Sequence, residues 1–371
     1  MMRVQEITTA EELATYESQW KGLVARSAHT SVFDTFEWQS AWLEALWQGK
    51  AIRFVFFWEG ESLVGVAPLL ATDSEGLPWC MAGSITSTPR QFGFRSNVVC
   101  AKQPDRILGA LVDHLRRSGF PRLVFPDAMA ESSLAKYLPV KATAAGLSCR
   151  VIAGGVSPIT HLTGNWEAQL RAHSAHFAKE VRRKVKRFEQ AGRSEVLVVS
   201  AEEHCGPAMR DIIQVESRSW KSNVTASISS NEAVARLYAG FATRAARSGI
   251  LRTYVLYLDS RPVSFVFGVV LKNEYYAFKT SYDAAFKQLS PGIVIIDRVF
   301  RDAVDQCLMT VDLGPGTGMR WKDEFSDDVR RHVHICVFGG RRALCRCCST
   351  YRQTIMPLVR SARSRWVLAP S

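Results

Sequence analysis

After Asp328 the chain has no acidic residue at all, although nine arginines follow, at 330, 331, 341, 342, 346, 352, 360, 363 and 365. That segment supplies most of the net charge of +12. A one-signed tail of this kind suits an anionic membrane surface or an anionic nucleotide effector. DNA is not expected as a partner. Long apolar runs are missing too: the longest are of strand length, about nine residues, too short to span a bilayer. The opening MMRVQEITTAEEL is polar and acidic and does not read as a leader, so a cytoplasmic protein is expected, peripheral at the inner face of the membrane where the tail engages it. Paired C-x-x-C knuckles, a nucleophile elbow with its Ser/His/Asp partners, and a Walker loop are all absent. Their absence argues against zinc sites, serine hydrolases and P-loop enzymes. The nine cysteines, Cys345-x-Cys347-Cys348 among them, read as reduced thiols, and no metal is expected.

What is present is enough for two cores. At 371 residues with 47% apolar content, the chain exceeds one comfortable domain. The expected class is α+β: two tandem domains, each a mixed sheet flanked by helices, at 1–160 and 161–340, then a basic helical tail over 341–371. FVFFWEGESLVGVAPLL (54–70) laid beside YVLYLDSRPVSFVFGVV (254–270) repeats strand, acidic turn, strand, which argues for two copies of one fold. GGVSPITHLTGN (154–165) reads as the linker from its Gly, Pro and Thr content. A single helix is expected from Trp166 to Ala191, its apolar stripe opposed by Lys179, Arg182, Arg183, Lys184, Lys186 and Arg187. The last strand, HVHICVF (332–338), is expected to pair with 308–314.

Residues 251–325 carry the chemistry. Three strands form a meander over 251–283, and apolar spacing predicts a helix from Pro291 to about Leu308. Ser290 reads as its N-cap, Pro291 as its first residue, and Gly292 leaves the second position bare. The N–H groups of Gly292, Ile293 and Val294 would then be free to grip phosphate oxygens, with Lys287 and Gln288 just before them. The first copy lacks a Ser-Pro-Gly start; its helix is entered through KQPDR (102–106). The first copy is therefore read as a frame for the acceptor, the second as the donor site.

RRKVKRFEQAG (182–192), Glu216 to Trp220, GILRTYVLYLDSRPVSFVFG (249–268), SYDAAFKQLSPG (281–292) and VDLGPGTGMRWKDEF (311–325) occur in one order. Together they resemble the GNAT-like acetyltransferase domain of the CelD-type exopolysaccharide proteins, a branch close to the FemAB aminoacyl transferases. The resemblance implies a GNAT fold and acetyl-CoA as acyl donor, its pyrophosphate at the loop before the central helix. It implies an amino sugar or related polysaccharide precursor as acceptor. It also leaves open FemAB-like transfer from aminoacyl-tRNA to a cell-wall precursor, with tRNA ranked below a sugar because no long coiled-coil hairpin is inserted. A non-catalytic regulatory module is the third reading. The usual acetyltransferase loop is kept only in Gln288 and Gly292, at a different spacing.

Acyl transfer needs a base for the acceptor, charge stabilisation for the tetrahedral oxyanion, and a proton for the departing thiolate. Glu216, at the polar position the family places there, is the candidate base; a surface carboxylate paired with Arg218 or Arg210 is the alternative. Tyr282 is the candidate acid, with Asp283 beside it. Lys322, in the family's G-x-x-W-K-x-x-F pattern, is the candidate cation for developing charge. Trp220 and Asp312 are the expected acceptor contacts.

Overall fold

In the computed structural model, the first half runs β1 (Met2–Ile7), α1 (Ala10–Ala14), α2 (Glu17–Arg26), α3 (Phe36–Leu46), β2 (Arg53–Glu59), β3 (Ser62–Thr72), β4 (Ser84–Ser87), β5 (Val99–Cys100), α4 (Pro104–Ser118), β6 (Arg122–Met129), α5 (Ser133–Ala144) and β7 (Ser148–His161). The second runs α6 (Trp166–His173), α7 (Ala175–Glu189), β8 (Ser194–Val199), α8 (Glu202–Ser217), α9 (Glu232–Arg247), β9 (Thr253–Leu258), β10 (Arg261–Leu271), β11 (Glu274–Tyr282), α10 (Pro291–Asp305), β12 (Thr310–Asp312), α11 (Arg320–Phe325) and β13 (Asp328–Phe338). The structure describes residues 2–47, 52–72, 84–87, 95–120, 122–219, 227–315 and 319–339. The arginine-rich tail, Cys345, Cys347 and Cys348, and Trp220 lie outside them.

The mixed α+β class holds, and the two sheets are joined into one. Strand order is β1-β2-β3-β4-β6-β13-β7-β12-β11-β10-β9-β8, with β5 paired to β3. Read from either end, the order repeats: an edge strand, an antiparallel hairpin, a third strand, then a parallel neighbour. Each half then gives its last strand to the other. β7 lies beside β12, while β13 inserts between β6 and β7.

Two expectations are corrected by that exchange. The glycine-rich stretch read as a linker lies largely within β7, and β13 pairs with β6 and β7 rather than with 308–314. The glycines mark a close approach, not a hinge: a Cβ on Gly154 would stand 3.0 Å from the backbone carbonyl of His332. The register slips there, with Val156 opposite Arg331 but Ala153 opposite Val333. The helix expected over 166–191 also breaks. Ser174 is extended, at φ −165°, and its hydroxyl caps α7 by accepting from the Phe177 N–H.

The repeated hairpins share a defect as well as a pattern. In the first, Val64 is the extra residue between the pairs Trp58–Leu63 and Phe57–Gly65. In the second, Val263 is extra between Tyr257–Pro262 and Leu256–Ser264. Aligned through these bulges, the copies are offset by one residue from the sequence overlay. The tryptophan-rich helix α3 belongs to the core that both halves share. Trp38 is fully buried and meets Phe241 of α9 edge to face, ring centroids 5.1 Å apart. α6, α7 and α10 cover the opposite face of the second half, and α4 and α5 that of the first.

Candidate active site

β11 and β12 are parallel neighbours at only three positions, Glu274–Thr310, Tyr275–Val311 and Tyr276–Asp312. Beyond them β11 continues to Tyr282, while the chain after β12 stays beside it only as far as Gly314, where a Cβ would stand 2.9 Å from the Ala277 carbonyl. Past Ala277 that side of β11 has no ladder partner among the described residues, which leaves a wedge in the sheet. A β-bulge sits at its apex: Gly268 pairs with Ala277 and Phe267 with Lys279, which leaves Phe278 extra. An extra residue reverses the side-chain alternation. Phe278 lies on the shared-core side with Tyr276, meeting Phe33 and Trp38, and after the bulge Lys279 reaches that same side, over the Tyr238 ring. Tyr282 faces the other way, toward α10.

The α10 start is built as expected in outline and differs in its hydrogen bonds. Ser290 is the N-cap and Pro291 the first helical residue, but Ser290 is left-handed, at φ 55°, and its hydroxyl caps nothing. The Ile293 and Val294 N–H groups are not free: both donate to the Ser290 carbonyl, at 3.0 and 3.3 Å. The N-cap carbonyl normally takes the first intrahelical bond, and here it takes two. Gly292 keeps the one N–H at this end without an acceptor among the described residues. Its missing Cβ would touch only Tyr282, at 3.4 Å, so the approach is open. Lys287 and Gln288 are exposed within the 3₁₀ turn Ala284–Leu289. Arg187 of α7, read from the sequence as one of the basic cluster on its helix, brings a cation here, donating to the Gln288 carbonyl and, at 3.4 Å, to Ser290 Oγ.

The first copy repeats the backbone and changes the chemistry. α4 also begins with a left-handed residue, Gln103 at φ 47°, followed by Pro104. Asp105 then stands where α10 has Gly292. A carboxylate in that first turn competes with any phosphate for the helix end, which supports reading the first copy as the frame.

Glu216 is neither free nor on the surface. It is buried, with Oε2 accepting from Ser227 Oγ (2.9 Å), the Ile228 N–H (2.5 Å) and the Ser229 N–H (3.2 Å). Oε1 faces Lys279 Nζ at 3.3 Å. Burial pulls the Lys279 ammonium below its ordinary pKa, and Glu216 opposes the shift. Asp283 is likewise sealed: it caps the 3₁₀ turn through the Ala285 N–H and pairs with Arg261 at 2.7 Å. Nothing in those contacts gives it a part in the chemistry.

Asp312 closes the base of the wedge. It is buried, pairs with Arg95 from the first half and with Arg330 at 2.5 Å, and accepts the Gly314 N–H at 2.8 Å. Burial alone would raise its carboxyl; the two guanidiniums and the Gly314 N–H outweigh it and hold the pKa below the usual range. Lys322, buried on α11, donates to the carbonyls of Gly314 (3.1 Å) and Pro315 (3.0 Å). Asp312 and Lys322 therefore hold the same short loop from its amide and carbonyl sides. Arg95 and Lys279 were not singled out from the sequence, and Arg187 and Arg330 were named only among the basic residues of their segments. Lys279, a lone cation inside the apolar strand EYYAFKTSY, carried the clearest signal.

Residues 175–323 match the family model described as an acetyltransferase (GNAT) domain. No curated protein sequence matches the chain. Among solved structures the chain is similar to FemX, with a TM-score of 0.61 at 10% identity over 95% of this chain and 99% of that one. It is also similar to L-PGS from Bacillus licheniformis, with a TM-score of 0.55 at 11% identity over 88% and 92% of the two chains. The C-terminal domain of a putative lysylphosphatidylglycerol synthetase from Agrobacterium fabrum gives 0.53 at 13% identity over 91% and 96%. These likenesses run through both halves and concern the fold.

Proposed function

We propose that this protein is an acyltransferase that moves an acetyl group from acetyl-CoA to the amine of an amino sugar or related polysaccharide precursor. The observation that carries this reading is the wedge between β11 and β12, with the bulge at its apex and the α10 start at its mouth. The pantetheine arm lies along the unpaired edge of β11. Its phosphates meet the Gly292 N–H, Arg187 and Lys287. Holding donor and acceptor together contributes several kcal/mol to the rate.

The acceptor amine enters from the side of the first half, past Tyr276 and Asp312. Its proton passes to Glu216 Oε1, the atom facing Lys279, and Tyr282 protonates the leaving thiolate. Lys322 acts through the loop it clamps, and its charge favours the oxyanion. The test is consumption of acetyl-CoA against a panel of amino sugars, with thiol release as the readout. Loss of at least about a hundredfold in kcat for Glu216→Gln fits a general base; a variant as active as wild type removes Glu216 from the reaction.

A second reading, aminoacyl transfer to a lipid or cell-wall precursor, is favoured by the whole-chain overlay on FemX and L-PGS. It predicts release of free tRNA from charged tRNA and no thiol release from acetyl-CoA.

A further inference from the structure

The solvent face of α7 holds a row of cations that the donor site does not use. Lys179, Arg183 and Lys186 are exposed, and none of them joins an ion pair among the described residues. Their spacings of four and three place them on one face of the helix. Their neighbours are already engaged: Arg182 pairs with Glu167 at 3.5 Å and Lys184 with Glu180 at 2.7 Å. The row leads to Arg187, which touches the loop before α10. From Lys179 to Arg187 it covers about 12 Å of helix. Glu189 is the one carboxylate on the helix beyond it. Exposed cations in a line, ending beside the open approach to the Gly292 N–H, imply a ligand with negative charge well beyond the reacting end.

The α10 start, for its part, places its donors around one phosphate. Two of its three candidate N–H groups are consumed by the Ser290 carbonyl, leaving the Gly292 N–H with Arg187 beside it. That set matches a single phosphodiester.

We infer that the acyl group also arrives on an acidic carrier protein, whose phosphopantetheine is joined to a serine through one phosphodiester. The carrier's acidic helix lies along Lys179, Arg183 and Lys186, while its phosphate sits at Arg187 and Gly292. The inference rests on the acyl-transfer reading and names its donor. The step balances without another reactant: the acyl carbon–sulfur bond breaks, a carbon–nitrogen bond forms, and the amine's proton ends on the carrier's thiol.

The test uses the full chain, the holo acyl carrier protein of a bacterial fatty-acid synthase, and the triple variant Lys179→Glu, Arg183→Glu, Lys186→Glu. Fluorescence anisotropy should show carrier binding that weakens at least about tenfold in the variant and falls with added salt. With acetylated carrier as donor, kcat/KM should fall in parallel, while kcat/KM for acetyl-CoA stays within about twofold. The neutral triple, with glutamine at the same positions, should show a smaller loss in the same order.

Equal carrier binding by wild type and variant overturns the inference. So does a parallel fall with both donors, which would give the row to CoA. Displacement by a short RNA, or row-dependent binding of phosphatidylglycerol vesicles without carrier binding, also overturns it in favour of those ligands. If wild type uses neither thioester but binds carrier through the row, the acyl-transfer reading fails and the docking surface stands.

Discussion

Arg95 and Asp312 come from opposite halves of the chain and form an ion pair closed to water, their side chains 2% and 1% exposed. Arg95 has two further guanidinium nitrogens without a partner among the described residues, its planar head lying 5.6 Å from the centre of the Tyr276 ring. Asp312 in turn fixes the Gly314 amide. The first half thus sets the loop at the base of the wedge through one carboxylate.

Breaking that pair from either side strands a buried charge, which costs about 3–5 kcal/mol. Asp312→Ala, which leaves Arg95 without its carboxylate and Arg330 with Glu274 alone, should lose the most in urea unfolding. Arg95→Met leaves Asp312 with Arg330 and should cost less. Equal losses would mean that Arg330 adds nothing to the pair.

His332 should make the protein sensitive to acid. Burial, with Arg95 and Arg330 nearby and Asp312 opposing them, pushes its imidazole down to about 4. Its folded value lies below the unfolded one, so the stabilisation is complete above pH 6.5 and is lost as pH falls toward 4. The loss amounts to about 3 kcal/mol at its limit. Asp34 has the opposite sense: burial raises it to about 6 against the bonds from Ser31 and Asn97 and the charge of Arg95. Its contribution is present below the unfolded carboxylate value and is lost as pH rises through 6. Subtracting the unfolding curves of His332→Gln and Asp34→Asn from wild type between pH 4 and 7 should give slopes of opposite sign.

Gly292→Asp puts the first copy's residue into the second. The backbone there accepts a side chain, since the added Cβ meets only Tyr282 at an ordinary contact distance. The variant should fold with an unchanged melting temperature and bind acetyl-CoA at least about tenfold more weakly in calorimetry, from repulsion at the helix end. Unchanged affinity would move the donor phosphates away from α10.

Lys322 separates clamp from charge. Lys322→Met should lose about 1–3 kcal/mol of stability by leaving the buried Gly314 carbonyl and the half-buried Pro315 carbonyl short of a donor, and most of the activity. Lys322→Arg restores the charge in a longer, planar head. It should recover stability in part and little of kcat, because the loop geometry changes. Full recovery by arginine would point to charge alone.

The hairpins, α10 and the pairing of the two copies were legible because they are written in local periodicity and turns. The exchange of β7 and β13 was not. Strand partners far apart in sequence leave no local mark, and Gly154 looks like part of a linker until His332 of β13 lies against it. Ser174 was hidden by apolar spacing that continues across the break. At the site, Ser290, Gly292 and Lys322 could be found from neighbouring residues. The partners of Asp312 and Glu216 could not, because Arg95 and Lys279 reach them only through the fold.

The crossed final strands also bear on how the chain is made. β6 is complete by Met129, yet the neighbour that covers its edge does not exist until β13 is synthesised at residues 328–338. Throughout that interval the nascent first half presents an unpaired strand edge, the kind of surface that other chains join. Closure of the sheet therefore waits for residues 328–338, and a chain that stops before Asp328 would leave that edge open.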